Sequence, residues 1–257
     1  MRTLAGKHIL VTRAKSQARP LSALIETHGG VAVETPLLSF QLHDSKEHDR
    51  LLAKLHEFSW IFVTSANGVK FFFELLSFYN ADLPQSLKWA VVGTRTEDAL
   101  NKYGVKADFV PEKFNARSLS RSFFQKYDEP GRLLFVRGNR SRDEFIQAMK
   151  QEQVFFQTMT VYDTIPVEHS YEIIQEKLRL QEIDGLTFTS PSTIDAFMDA
   201  IQNTNAKALH LPCFCIGPTT GARAEERGFS QVIEPSNFSI KDMMDKIIDY
   251  FSEEGKR

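Results

Sequence analysis

The chain has 257 residues, 42% of them hydrophobic and 25% charged, with a formal net charge of −2. That is the make-up of an ordinary globular protein, long enough for one large domain or two of ordinary size. The molecule as a whole is no magnet for nucleic acid or other polyanions, so an acidic ligand has to be met by a local cluster of basic groups.

The opening Met1 to Leu10 has no apolar core of signal-peptide length. No later stretch approaches the roughly 20 apolar residues of a membrane helix. His8-Ile-Leu-Val-Thr12 reads as a buried strand; Leu21, Leu24, Ile25 and His28 follow at helical spacing, and Gly29-Gly30 closes that helix. An extended segment, 31–40, comes next and bends at Pro36. His43 and His48 lie in a charged connection and are expected to be solvated. Strands are expected at 61–64, 90–92, 109–111, 133–136, 186–189, 213–216 and 232–234, with a second extended segment at 154–165 and Pro166 at its end. The Phe71-Phe-Phe run between the first two reads as core packing on a helix. Cys213 and Cys215 lie mid-strand, where alternation is expected to send them to opposite faces and leave them unbridged, as in a reduced cytoplasmic protein. Short strands alternating with helices imply parallel sheets covered on both faces.

One half of the chain recurs in the other. Ile9-Leu-Val-Thr-Arg13 returns as Leu133-Leu-Phe-Val-Arg137, and Phe62-Val-Thr-Ser65 as Thr187-Phe-Thr-Ser190. Val92-Gly93 matches Ile216-Gly217, Gly104 matches Gly228, Pro111 matches Pro235 and Phe114 matches Phe238, all at offsets of 124 to 125. If the chain crosses between two lobes along its extended segments, the first lobe is 1–36 with 168–257 and the second is 38–165. The linkers then lie near 35–42 and 159–167, and the working site falls in the cleft between lobes. Two consecutive lobes split near residue 125 are the alternative; a single proteolytic cut near 128–131 would separate those.

In parallel α/β sheets, ligands collect beyond the carboxyl ends of the strands. Those ends carry Thr12-Arg13, Thr64-Ser65-Ala66-Asn67, Gly93-Thr94-Arg95-Thr96, Arg137-Gly138-Asn139, Thr189-Ser190-Pro191-Ser192 and Gly217-Pro218-Thr219-Thr220. The candidate substrate-binding residues among them are Arg13, Ser65, Ala66, Asn67, Thr94, Thr96, Arg137, Gly138, Ser190, Pro191, Ser192, Thr219 and Thr220. Thr94 with Glu97, Ser141 with Glu144, Ser192 with Asp195 and Ser239 with Asp242 fit the capping-box spacing. Hydroxyls that only cap helices are the plainer reading of each, although helix starts also suit anionic groups. Arg13, Lys15, Arg19, Arg95, Lys113, Arg117, Arg137, Arg140 and Arg142 gather at the same ends. Solvated surface charge accounts for Arg19, Lys113, Arg117 and Arg142 taken singly; the set together suggests a polycarboxylate or phosphate ligand. Tyr162 stands in Thr160-Val-Tyr-Asp-Thr164 on the proposed return strand, and its repeat counterpart, 37–40, has no tyrosine. A phenol there can donate a proton or a hydrogen bond to a ligand, or serve only as an amphipathic hinge residue. There is no Gly-x-Gly-x-x-Gly, no Walker lysine motif and no Gly-x-Ser-x-Gly, and the seven histidines lack zinc-ligand spacing. A two-lobed protein that binds an anion without chemistry would share the cleft and the repeat.

Together, Ile9-Leu-Val-Thr-Arg13, Phe62-Val-Thr-Ser-Ala-Asn-Gly68, Val92-Gly93 with Thr96, Thr160-Val-Tyr162, Phe188-Thr-Ser-Pro-Ser192 and Ile216-Gly-Pro-Thr-Thr220 resemble the uroporphyrinogen-III synthase family over nearly the whole chain. The resemblance implies an α/β fold of two flavodoxin-like (Rossmann-like) parallel-sheet lobes joined by a two-stranded β-ladder, the first lobe discontinuous. It implies a monomeric lyase without metal or cofactor that acts on the linear polycarboxylate tetrapyrrole hydroxymethylbilane, with no nucleic-acid or membrane partner. Such enzymes close the macrocycle, lose water and invert the last pyrrole ring, ring D, through a spiro intermediate, and a transient handover from the preceding pathway enzyme fits that role. The family's tyrosine matches Tyr162, and its hydroxyl and main-chain positions match Ser65, Thr96, Ser190, Thr219 and Thr220. Arg95 departs from the small or varied residue expected at its place.

Overall fold

The computed structural model describes residues 3–112, 116–141, 143–202 and 206–254. Lys113, Phe114, Arg142 and the side chain of Arg117 lie outside the described residues. The chain runs β1 (His8–Val11), α1 (Lys15–Thr27), β2 (Val31–Glu34), β3 (Leu38–Leu42), α2 (Lys46–Ala53), β4 (Trp60–Val63), α3 (Ala66–Phe78), β5 (Lys88–Val91), α4 (Thr94–Asn101) and α5 (Ala116–Lys126). It continues through β6 (Leu133–Gly138), α6 (Glu144–Gln151), β7 (Phe156–Pro166), α7 (Glu168–Arg179), β8 (Gly185–Phe188), α8 (Pro191–Ile201), β9 (Cys213–Cys215), α9 (Pro218–Glu226), β10 (Val232–Ile233) and α10 (Ile240–Glu254). These elements form two compact units, Met1–Ser39 with Ile165–Arg257, and Phe40–Thr164. The chain passes from one to the other along β3 and returns along β7. The two strands are neighbours of opposite sense: the His43 N–H donates to the Val161 carbonyl at 3.1 Å and the Val167 N–H to the Leu37 carbonyl at 3.0 Å.

In the first unit the strand order is β10-β9-β8-β1-β2, every pair parallel. Both faces are covered, so the strands are apolar throughout rather than alternating. Leu10 packs with α7 and α8 on one face, while Ile9 and Val11 pack with α1 and α10 on the other. Two buried threonines pin the central pair: Thr12 Oγ1 donates to the Thr187 carbonyl and Thr187 Oγ1 to the Leu10 carbonyl, each at 2.7 Å. Buried hydroxyls need such partners.

In the second unit the order is β3-β7-β6-β4-β5, with parallel pairing from β7 to β5. Ile61 and Val63 of β4 face α3; Trp60 and Phe62 face α5 and α6. Numbered from β1, the first sheet has the 2-1-3-4-5 order; numbered from β6, the second has 2-1-3-4, with β3 added outside β7, and the switch points lie between β1 and β8 and between β6 and β4. At both places a strand from one repeat copy pairs with a strand from the other.

The expected strand at 109–111 shrinks to one parallel bridge from Phe109 to Ala90, since Pro111 has no N–H to extend the ladder. The cysteines do not diverge. Residues two apart in a strand share a face, so both enter the cluster with α7 and α8 with their Sγ atoms 3.7 Å apart, while Phe214 faces α10. Both thiols are free, and that contact together with burial pushes Cys213 up. His48 is buried rather than solvated, because α2 turns it inward one helical turn from Leu52. His43 is only partly exposed and bonds Asp163 Oδ2 through Nδ1 at 2.8 Å.

Candidate active site

In the second unit the strand ends bring three of the candidate residues together, Ser65, Gly138 and Tyr162. Ser65 follows β4 and caps α3, its Oγ accepting the Gly68 N–H at 3.0 Å. Because that hydroxyl accepts from the backbone, its own proton is available for a second bond. Tyr162 Oη lies 3.4 Å from it. The Tyr162 ring stacks on Phe71 at 5.4 Å between centroids and meets Phe40 edge-on at 5.7 Å, with 9% of the residue exposed. It crosses β6 at Gly138, where a Cβ would stand 2.3 Å from a ring carbon. Gly138 is therefore the residue that gives the phenol room. Ala66 is exposed and Asn67 half-buried on the first turn of α3.

Arg137 is held by its own loop. Its guanidinium donates to the Ser141 carbonyl, to Asp143 Oδ1 at 2.9 Å and to the Gly138 carbonyl at 3.4 Å, and the side chain is 13% exposed. Spacing along the sequence cannot show that a cation at a strand end is engaged by the turn that follows it.

The start of α4 repeats almost atom for atom at α9 in the other unit. Gly93 and Gly217 precede them in extended conformation, neither helix has a side-chain cap, and the Thr96 and Thr220 N–H groups reach the glycine carbonyls at 3.0 Å. Thr96 and Thr220 are buried, whereas Thr94 and Thr219 are exposed. Thr94 is thus the first helical residue and not a cap. Ser141 is not a cap either: its Oγ accepts the Gly138 N–H at 3.0 Å, and Asp143 precedes α6. Nor is Ser192. Pro191 occupies the first turn of α8, and Ser190 before it accepts the Thr193 N–H at 3.3 Å, with Ser192 Oγ at 2.9 Å. Of the four spacings only Ser239 with Asp242 makes the serine cap: Ser239 Oγ accepts the Asp242 N–H at 3.1 Å and donates to the Asp242 carboxylate.

Arg13 follows β1 and reaches Gln17 Oε1 at 3.4 Å. Arg19 is exposed and pairs with Glu26, and Lys15, Arg95 and Arg140 are exposed. On α8, Asp195 is drawn by burial toward the protonated form, but hydrogen bonds from Arg223 and Arg227 outweigh it and hold the carboxyl below its ordinary range. Among the described residues, no group of three or more His, Cys, Asp and Glu is placed to hold a metal ion, and no helix is long and apolar enough to cross a membrane.

Known proteins share this arrangement of strands. A crystal structure of a mutant uroporphyrinogen III synthase from the extremely thermophilic bacterium Thermus thermophilus matches with a TM-score of 0.72 at 15% identity, covering 98% of this chain and all of its own. The Helicobacter pylori 26695 uroporphyrinogen-III synthetase matches with a TM-score of 0.64 at 15% identity, covering 95% and 99%. At such identity these likenesses concern the fold. In sequence, a uroporphyrinogen-III synthase from Chlorobaculum parvum is 30% identical over 90% of this chain and 94% of its own, and one from Synechococcus elongatus is 27% identical over 94% of both. A porphyrin biosynthesis protein HemD from Ruminiclostridium josui is 25% identical over 96% of this chain, which spans about half of that relative, 49%. The family described as Uroporphyrinogen-III synthase HemD matches residues 19–245, an interval that takes in the whole second unit with Tyr162, and the chain belongs to that family.

Proposed function

We propose that the chain closes hydroxymethylbilane to uroporphyrinogen III, with loss of water and inversion of ring D. The observation that carries this reading, beside family membership, is the Tyr162 hydroxyl at a switch point, 3.4 Å from the Ser65 hydroxyl and backed by aromatic rings. Tyr162 hydrogen-bonds the substrate's hydroxymethyl oxygen and assists its departure. The C–O bond breaks, hydroxide leaves as water on taking a proton, and the pyrrole nitrogen supplies the electron pair that forms the azafulvene. The substituted carbon of ring D attacks that centre to give the spiro intermediate. Its fragmentation and reclosure leave ring D reversed. The protein's share is to hold a conformation in which attack at the substituted carbon is the near one, with a general-acid contribution on the order of 10² to 10⁴ in rate.

Carboxylates of the substrate meet the backbone N–H groups at the start of α4, in the unit that holds Tyr162. Arg137 serves by holding Ser141 and Asp143 beside the end of β6. The proposal includes a monomeric cytoplasmic enzyme that needs no cofactor. The test is to incubate purified protein with freshly generated hydroxymethylbilane and separate the oxidised porphyrins. Isomer III is expected; isomer I alone, as in the spontaneous reaction, would sink the proposal.

A further inference from the structure

Tyr162 reaches Ser65 only because β7 breaks its own alternation. Arg137 pairs with Thr160, yet the next residue of β6, Gly138, pairs with Tyr162, so Val161 is an extra residue on β7. Met159 and Val161 point into the cluster around α3, as a strand of period two requires, and Tyr162 points into the same cluster. Without the bulge the phenol would lie on the opposite face, because a slip of one residue exchanges the faces of a strand.

A bulge takes a carbonyl out of the ladder, and something must receive it. The Val161 carbonyl stays in register with β3, accepting the His43 N–H at 3.1 Å. The Thr160 carbonyl accepts a side chain, His48 Nε2, at 2.8 Å. On the other side, Asn139 takes the Tyr162 carbonyl through its N–H at 3.0 Å and the Thr164 N–H through Oδ1 at 2.9 Å. His48 is 2% exposed, and its Nδ1 is buried without a partner. The carbonyl partner puts the single proton of a neutral ring on Nε2. The ring therefore serves as a fixed N–H donor to the residue that begins the bulge.

We infer that His48 is a positioning residue for the Tyr162 hydroxyl, acting through the Thr160 carbonyl and the β7 bulge. The inference rests on the proposed role of Tyr162 in turnover, and its test separates the two. Its substrate-free arm follows the Tyr162 ring resonance in protein labelled on tyrosine, assigned by its loss in Tyr162→Phe. His48→Leu is expected to shift or broaden that resonance and His48→Gln, which keeps a side-chain N–H donor, to restore it. The kinetic arm is a double-mutant cycle on hydroxymethylbilane turnover. His48→Leu is expected to lower kcat by roughly ten- to a hundredfold, the scale of an ångström-size misplacement, with little change in KM. His48→Gln is expected to recover most of the loss, and His48→Leu to add nothing in a Tyr162→Phe background. An unmoved resonance overturns the inference, as does an equal loss of rate in both backgrounds. Full activity of Tyr162→Phe beside a moved resonance removes the catalytic reading of the tyrosine and leaves the positioning intact.

Discussion

Tyr162 is nearly as buried as a core residue, yet its hydroxyl ends beside the half-exposed Ser65. Tyr162→Phe keeps both aromatic contacts and loses only the hydroxyl. A fall in kcat on the order of 10²-fold is expected, with the melting temperature nearly unchanged; steady-state kinetics and a thermal melt check both. Gly138→Ala attacks the same phenol from below. Its new Cβ meets the ring at 2.3 Å, so the ring has to move, and both rate and melting temperature are expected to fall. His48 gives stability a pH dependence of defined sign. Burial, opposed by the hydrogen bond to the Thr160 carbonyl, holds its pKa below the ordinary imidazole value; His43 lowers it further, while Asp44 and Glu47 raise it. The unfolded chain then binds a proton that the folded chain does not, so stability is full above about pH 6.5 and declines as pH falls toward the folded-state value. Melting temperatures across that window are expected to flatten in His48→Leu.

The helices that follow β4 and β8 start alike, with serine caps Ser65 and Ser190, and that likeness separates structural from chemical roles. Each alanine substitution is expected to cost about 1 kcal/mol in urea unfolding. Only Ser65→Ala is expected to slow turnover as well, since only Ser65 has the phenol beside it. Element positions were legible in the sequence because both sheets are buried on two faces, and short apolar runs such as Leu133–Val136 stand out between helices. The repeat was legible for the same reason, and Tyr162 drew notice as the member of its pair without a counterpart; the matching residue 124 positions earlier is the buried Leu38. The bulge was not legible. Nothing in Thr160-Val-Tyr-Asp says that two consecutive residues face one way, because that is decided by the carbonyl acceptors' partners on other elements. Caps were misplaced for a related reason: Gly93, Ser190 and Asp143 stand where the incoming strand meets the helix, and the spacing rule sees only the hydroxyl and the acid. The fate of Arg137 depended on the path of the loop it clamps.

At the scale of the whole chain, the feature with the widest reach is that each sheet joins strands from both repeat copies. The first copy supplies β1 and β2 to one sheet and β4 and β5 to the other; the second copy completes each. The connection between α5 and β6, residues 127–132, lies inside the second unit, where β4 and β6 pair directly. A protease nick there is expected to leave a particle that elutes as one species without denaturant; release of two compact fragments would contradict the pairing. Fragments 1–128 and 129–257 made separately are each expected to be poorly folded, because β1 in one and β6 in the other lack the strands they pair with, and to regain a cooperative melt on mixing. A chain of one repeat copy would face the same requirement. A protein of a single copy, with its linker strand extended, would have one incomplete sheet at either end and could finish both only by exchanging its first βαβ arm with a second molecule. Fusing two such partners head to tail would yield the present chain, with concentration-dependent assembly turned into an intramolecular event.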